Sequence, residues 1–312
     1  MRRKVGKHGT ATLTVSLPAK WVKQHEIKAG DEVEVQPEKD SLTIYTKERI
    51  EKTQEKRITI DLSDCDDINY TGSVVGALYR LGYDIIKIKF KTPKTLSDIE
   101  YALQTIIGYE IVEQDINQCI IKNLVKDAET ELQNLINKLF SICKVEFTII
   151  NECCDKGFSS IDQIRSLRIS AWKIRNYALR LLYKYEEKNP QLFALGHIIF
   201  TLEKISASLF RTFEVLFNNK VQSNEEFNKV FKAVQSYVEY FQKNWHKTSL
   251  EINKTIRENK NPIIHTLVEL SAQQKKELEA YMYLRDIVNS VFSLNSSHIM
   301  LNFEEDEEKI IK

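Results

Sequence analysis

Near its N-terminus the chain alternates apolar and polar residues. In the segment ATLTVSL, Leu13, Val15 and Leu17 share one face, whereas threonine and serine share the other, as in a half-buried strand. Pro18 ends this alternation and favours the first turn of a short helix with the sequence AKWVKQHEI. Gly30 can adopt the left-handed conformation that stops such a helix. Two further alternating segments, DEVEVQ and LTIYT, then predict a β-hairpin.

A second pattern follows a charged segment. The sequence TKERIEKTQEK is poor in apolar residues, which predicts a linker over residues 49–56. Strand and helix patterns then alternate, in the order RITIDL, INYTGSVVGALYRLGY, DIIKIKF, KTLSDIEYALQTII, YEIVEQ and CIIKNLV. This order predicts a compact β-α-β-α-β-β domain over residues 57–125. Thr95 or Ser97 is a candidate cap for its second helix.

From about Asp127 onward, the apolar residues recur with the 3.6-residue period of α-helices. The clearest stripes contain Leu132, Ile136, Leu139 and Phe147, then Ile164, Ala171 and Leu179, and then Leu195, Ile198, Leu202 and Leu209. These stripes predict an antiparallel helical bundle over residues 127–295. Because proline disfavours a helical conformation in the residue before it, Asn189–Pro190 and Asn261–Pro262 are predicted to break the helices.

Two segments within this helical region resemble each other. The segment LEKISASLF begins at Leu202, and LRDIVNSVF begins at Leu284. Their spacing suits a duplicated three-helix bundle, although chance agreement between amphipathic helices is the alternative. The prediction is a three-helix bundle over residues 126–220, a shorter bundle over residues 221–296 and an acidic tail over residues 297–312.

Charge is distributed unevenly along the chain, although the formal net charge is only +1. The basic residues that precede the first acid, Glu26, are Arg2, Arg3, Lys4, Lys7, Lys20 and Lys23. The C-terminal segment, in contrast, has the acidic sequence EEDEEKIIK. Affinity for nucleic acid would therefore come from the placement of charge and not from its total.

The bulk properties favour a cytoplasmic protein with several domains. The five cysteines are odd in number and form no C-x-x-C pair, which favours reduced, inert thiols in the cytosol. The apolar runs are shorter than the ~20 residues that cross a bilayer. The basic N-terminal residues are followed by threonine and serine and not by the apolar core of a signal peptide. Because 312 residues exceed one typical core, we expect a multidomain α+β fold.

The N-terminal unit, residues 1–48, contains too few large apolar residues to build a core alone. An intertwined dimer would complete that core. The order of a strand, SLP-x-x-W-V, GD-x-V-x-V and a hairpin resembles the SpoVT/AbrB swapped-hairpin DNA-binding family. The resemblance implies a homodimer that binds double-stranded DNA.

The basic residues of this unit are the candidate DNA contacts. We predict that Arg2, Arg3, Lys4, Lys7, Lys20 and Lys23 contact DNA phosphates. Thr12, on the polar face of the first predicted strand, is a further candidate for a phosphate contact. The alternative is an ordinary solvated basic segment with an exposed strand face, since alternating polar residues also fit that description.

Nearly the whole chain, with two three-helix bundles behind this head, resembles the archaeal type of PhoU-like phosphate-uptake regulator. The resemblance rests on the paired helical bundles and on the segments GALYRLGYDIIKIKF and IIGYEIVEQ between head and bundles. It implies a transcriptional regulator linked to phosphate uptake or phosphate homeostasis. The alternative is an adaptor that docks on a phosphate transporter ATPase or a sensor kinase and uses the head only to dimerise.

Metal chemistry and catalysis receive little support from the sequence. PhoU-like bundles imply acidic metal ligands in an E-x-x-x-D motif, but here only Glu203 matches, because the second position is Ala207. The corresponding residues of the second bundle are Arg285 and Asn289. Glu203 is therefore a weak metal candidate, and no cofactor is expected. The alternative of a metal-dependent enzyme lacks an H-E-x-x-H or G-x-S-x-G motif, so no enzymatic activity is expected.

The acidic sequence DLSDCDD allows two interpretations. Its carboxylates, Asp61, Asp64, Asp66 and Asp67, could hold Mg²⁺. Their position directly before a predicted helix favours capping and interaction with the helix dipole instead.

Overall fold

A computed structural model describes residues 3–8, 12–37, 42–46, 55–65, 67–125, 132–156, 161–185, 191–221, 224–247, 249–273 and 276–302. The chain forms two compact units, Met1–Glu55 and Lys56–Lys312. A small β-rich head, a mixed α/β region and a set of long helices follow one another along the chain. The predicted multidomain α+β class is confirmed.

The head unit contains two separate antiparallel strand pairs. Strands β1 (Val5–His8) and β2 (Thr12–Val15) form the first pair, helix α1 spans Ala19–Gln24, and strands β3 (Val33–Pro37) and β4 (Leu42–Thr46) form the second pair. Strand β1 was not predicted, because its sequence VGKH carries no apolar alternation of its own.

The end of helix α1 differs from the prediction. The helix ends at Gln24, His25 caps it, and Glu26 then takes a left-handed φ of 52°. Gly30, with a φ of 99°, lies in the following turn. There the backbone N–H of Asp31 donates to the carbonyl of Lys28. Gly30 therefore adopts the predicted backbone conformation, but it directs the chain into β3 and does not stop the helix.

The α/β region follows the predicted order of elements. It contains β5 (Arg57–Asp61), α2 (Ile68–Arg80), β6 (Ile85–Lys89), α3 (Pro93–Leu103), β7 (Tyr109–Gln114) and β8 (Gln118–Asn123). The sheet order is β5-β6-β8-β7, with β5 and β6 parallel and the other neighbouring strands antiparallel. Strand β7 is therefore an edge strand.

The cap of helix α3 lies earlier than predicted. The hydroxyl of Thr92 accepts a hydrogen bond from the N–H of Thr95, and Pro93 occupies the first turn. Pro93 fits there because its missing N–H would have no partner within the helix. Thr95 and Ser97, the candidates from the sequence, lie inside the helix.

Six long helices make up the described part of the remaining chain. They are α4 (Leu132–Lys156), α5 (Ile161–Tyr185), α6 (Leu192–Asn218), α7 (Glu225–Asn244), α8 (Leu250–Gln273) and α9 (Leu278–Asn302). Their buried apolar residues form one continuous cluster, in which α6 packs along α9. The two similar segments lie on these two central helices, and both first-position leucines, Leu202 and Leu284, are fully buried.

Helix α5 connects the helices to the α/β region. Tyr177 and Leu181 of α5 belong to the α/β core, together with Tyr79 of α2. The fully buried guanidinium of Arg180 donates to the carbonyls of Tyr79 and Tyr83 and pairs with Asp84. A buried cation is tolerated when it is both paired and hydrogen-bonded. The helices and the sheet therefore belong to the same compact unit.

The prediction that Asn261–Pro262 breaks a helix is wrong. Helix α8 continues through Pro262, which lies inside it. A proline removes one helical hydrogen bond and crowds the preceding turn, but it does not prevent a helix whose other contacts hold it. Ile256 and Leu267 supply such contacts, since both are buried on either side of Pro262. The second predicted break, Asn189–Pro190, lies outside the described residues.

One described helix is long and apolar enough to cross a membrane by length and composition, namely α6. More than half of its most apolar window is buried among the other helices. The core helix of a soluble protein has the same properties, so this feature is weak support for a membrane span. Cys65, Cys119 and Cys143 form no disulfide bond within the described part of the chain, and the side chain of Cys154 lies outside that part.

Candidate nucleic-acid interface

The β1–β2 hairpin divides the predicted contact residues between its two faces. Its register places Lys7 opposite Leu13 and His8 opposite Thr12. Because directly opposed residues point to the same side of an antiparallel pair, Lys7 shares a face with Leu13, and Thr12 lies on the other face. The Thr14 hydroxyl also lies on the Thr12 face and donates to the carbonyl of Gly6 at 3.4 Å. Lys7 and Thr12 therefore do not form one surface within a single chain.

Helix α1 presents the second group of predicted contacts. Lys20 and Lys23 are exposed on this six-residue helix, whereas Trp21 and Val22 are half-buried. The Trp21 ring packs against His25, with ring centroids 5.1 Å apart. The indole therefore holds the end of the helix while both ammonium groups remain in solvent.

The remaining predicted contacts precede strand β1. Arg3 and Lys4 are exposed, and Arg2 lies outside the described residues. Among the described residues of the head, Arg3, Lys4, Lys7, Lys20 and Lys23 form no ion pair with an acid. Because these five side chains are exposed, an external anion such as a phosphate can reach them.

The apolar face of the head is open in the single chain. None of the head side chains whose exposure the structure describes is buried, and Leu13 and Leu42 are 71% and 65% exposed. The registers pair Val5 with Val15 and Val35 with Ile44, so each hairpin has one apolar side. Exposed apolar faces of this kind mark an interaction surface. The valines were predicted to face a core, and a second molecule would have to cover them for that prediction to hold.

The acidic segment before helix α2 serves to cap that helix. The Asp67 carboxylate accepts hydrogen bonds from the N–H groups of Asn69 and Tyr70, at 2.8 and 3.4 Å. Asp61 accepts from Ser63, and this hydrogen bonding lowers the pKa of Asp61. Asp64 pairs with Lys91 at 2.7 Å on the surface. Asp66 lies outside the described residues, and the other carboxylates point to separate partners.

Glu203 is engaged by arginines and not placed among metal ligands. Its carboxylate forms an ion pair with Arg168 and a second one with Arg175 at 2.7 Å. Within the part of the chain that the structure describes, no group of three or more His, Cys, Asp or Glu residues could hold a metal ion. The second position of the E-x-x-x-D motif is Ala207 in the sequence, and the carboxylate at the first position, Glu203, pairs with two arginines.

Sequence reasoning missed the polar residues at the contact of helices α4, α5 and α6. Glu146 is fully buried, and the Ser206 hydroxyl donates to its Oε1 at 2.8 Å. Burial is the main cause that raises the pKa of Glu146 to about 8, and nearby Glu203 also raises it. The sequence could have indicated this buried carboxyl, because Glu146 lies between Cys143 and Phe147 on the apolar stripe of α4.

Comparison with known protein families gives one match. The family model described as "Antidote-toxin recognition MazE, bacterial antitoxin" matches residues 8–52. A head of the MazE/AbrB type is compatible with a DNA-binding regulator or with an antitoxin-like role. No curated protein and no solved structure matches the chain. The resemblance of the remaining chain to PhoU-like regulators therefore rests on sequence pattern alone.

Proposed function

We propose that this protein is a cytoplasmic, homodimeric DNA-binding regulator whose head carries both the dimer contact and the DNA contact. The observation that carries this proposal is the head's open apolar face, which a second copy would cover. The match of residues 8–52 to a MazE-type family model supports the proposal. The exposed cations Arg3, Lys4, Lys20 and Lys23 supply the charge that a phosphate backbone requires.

Dimerisation also bears on the finding that Lys7 and Thr12 lie on opposite faces of the β1–β2 hairpin. A second copy packed on the Leu13 face would cover part of the surface that carries Lys7. Arg3, Lys4, Lys20 and Lys23 would then be present twice, in two symmetric sets. Two related sets suit a duplex site with matching half-sites. These residues are assigned to phosphate contacts, which set affinity and position without reading the base sequence.

The biological process that we propose is the control of phosphate uptake or phosphate homeostasis. This part of the proposal rests on the resemblance of the middle segments and helices to PhoU-like regulators. The long helices would receive the signal, and the head would bind DNA.

Fluorescence anisotropy with labelled duplex DNA over a salt series tests DNA binding by the head. We expect log K to fall with log salt by about 0.9 per neutralised phosphate. A variant in which Arg2, Arg3, Lys4 and Lys7 are changed to Glu should bind much more weakly and with a smaller slope. The matched control changes Lys138, Lys144, Lys232 and Lys243, all exposed on the helices, to Glu. Equal binding by the intact protein and the head variant would exclude the proposal.

The adaptor alternative makes the opposite prediction. If the head serves only to dimerise, the intact protein shows no salt-sensitive DNA binding. Residues 127–295 would instead retain a component of a phosphate transporter or a sensor kinase in a pull-down experiment. The anisotropy series is therefore the first experiment to perform.

A further inference from the structure

Three arginines from two different regions converge beside helix α5. Arg80 belongs to α2 of the α/β region, whereas Arg168 and Arg175 belong to α5. Arg80 Nη1 and Arg175 Nη2 each donate to the same oxygen, Oδ1 of Asn176, at 3.0 Å. Arg175 also donates to Glu203, which pairs with Arg168 as well. One amide and one carboxylate thus hold three guanidinium groups together.

The positive charge of this cluster exceeds the negative charge around it. Glu203 is the only carboxylate with which these arginines form an ion pair among the described residues. The nearby carboxyl of Glu146 does not offset the excess, because its raised pKa of about 8 keeps it mostly protonated at neutral pH. Burial lowers the pKa of Arg80, and the positive charge of Arg175 lowers it further. The arginines therefore repel one another in the absence of an additional anion.

The position of Arg80 depends on a glycine. The side chain of Arg80 lies back over its own helix, and a Cβ atom at Gly76 would lie 3.1 Å from Arg80 Nη1. A methyl group at position 76 would therefore require the guanidinium to shift by a few tenths of an ångström. Asn176, which orients the two arginines, is itself 2% exposed and donates to the carbonyl of Thr105 at 2.9 Å. The cluster is thus positioned by packed residues and not by flexible surface chains.

The three arginines retain N–H donors that a ligand from solvent could use. A guanidinium has five N–H donors, and Arg80 makes a single side-chain hydrogen bond among the described residues. The side chains of Arg168 and Arg175 are 14% and 19% exposed, so solvent reaches them. Arg168 also packs over the Trp172 ring at 4.5 Å, which limits its motion. Planar guanidinium forks match the oxygens of a tetrahedral oxyanion.

We propose that Arg80, Arg168 and Arg175 form a binding site for a small tetrahedral oxyanion of the phosphate class. The anion accepts hydrogen bonds from the free guanidinium donors and neutralises the excess charge. Because α2 and α5 both contribute, an occupied site fixes the α/β region against the helices. This inference goes beyond the proposed function, since loss of DNA binding in the head variant would leave oxyanion binding unchanged.

Isothermal titration calorimetry of the full chain with inorganic phosphate tests the site, in chloride buffer at constant ionic strength. We expect saturable binding of one phosphate per chain. Arg80→Gln should weaken the affinity about tenfold or more, because it removes one charge and its charge-assisted hydrogen bonds. The matched control is Arg165→Gln, which changes an exposed arginine of α5 that pairs with Asp162 on the surface. This variant should bind phosphate normally.

Two further variants separate ligand binding from a purely structural role. Gly76→Ala keeps every charge but requires the Arg80 guanidinium to shift by a few tenths of an ångström, so it should weaken phosphate binding by less than Arg80→Gln does. Glu203→Gln removes the competing carboxylate and should strengthen phosphate binding if the variant remains folded by circular dichroism. The proposal is overturned if phosphate shows no saturable binding beyond chloride, or if folded Arg80→Gln binds phosphate as tightly as the intact protein.

Discussion

At the scale of single residues, buried polar side chains determine how the helices respond to pH. The Glu146 carboxyl is buried, and its Oε2 has no hydrogen-bond partner among the described residues. An ionised carboxylate at this position would lack sufficient compensation, so the protonated form is favoured. Arg180 shows the opposite solution, because Asp84 and two carbonyl oxygens compensate its charge.

Replacing Glu146 by Gln should remove a pH dependence of stability. The pKa of Glu146 rises from 4.5 to about 8 in the folded protein. Its stabilising contribution is therefore complete below about pH 4.5 and is lost as the pH rises to about 8. The loss by pH 7 is on the order of 3 kcal/mol. The free energy of unfolding of Glu146→Gln should therefore change less between pH 4.5 and pH 8 than that of the intact protein. Urea titration followed by circular dichroism measures this free energy.

The control for this experiment is Glu152→Gln, an exposed glutamate on the same helix. It should follow the pH dependence of the intact protein. If Glu146→Gln and the intact protein lose stability in parallel between pH 5 and pH 8, Glu146 is not the group responsible.

At the scale of elements, local sequence rules explain most of the helices and strands. Asp67 caps α2 as the acidic segment predicted, and alternating apolar residues form β5 to β8. The rules fail where tertiary contacts override them. Pro262 lies inside α8 because buried neighbours hold the helix on both sides. The cap of α3 is a different case, because the local preference of Pro93 for the first turn of a helix places the cap at Thr92.

Replacing Pro262 by Ala should stabilise helix α8. Pro262 is exposed, so the substitution leaves no buried cavity. Alanine restores the missing N–H and relieves the crowding of the preceding turn, although the unfolded chain gains entropy. We expect a gain of about 1 to 2 kcal/mol in the free energy of unfolding. The neighbouring exposed substitution Asn261→Ala should change it much less, and a loss of stability in Pro262→Ala would contradict this account.

At the scale of the whole molecule, the head and the remaining chain differ in how they obtain a core. The second unit, Lys56–Lys312, buries its own apolar residues in two clusters. The head leaves both of its apolar hairpin faces open. Because none of the head side chains whose exposure the structure describes is fully buried within one copy, a second copy is the simplest source of the missing core.

Charges placed on the open apolar face should therefore disrupt the dimer. Leu13→Asp combined with Val15→Asp would bury two carboxylates in the shared core, at a cost that dimerisation cannot offset. Light scattering coupled to size-exclusion chromatography should show a monomer for this variant and a dimer for the intact chain. Thr14→Asp, on the opposite face of β2, is the matched control and should remain dimeric. A double variant that stays dimeric would place the dimer contact outside the head.

The sequence by itself determined how apolar residues recur along the chain. They alternate with polar residues in the head and the sheet, and they recur every 3.6 residues in the helices. These periods follow from backbone geometry, which each short segment carries within itself. It also showed the cations that precede Glu26. Only the tertiary structure decided that Lys7 and Thr12 lie on opposite faces, and that Glu203 meets arginines. It alone brought Arg80 to Asn176. These pairings join distant parts of the chain, and no local rule specifies which buried charges will meet.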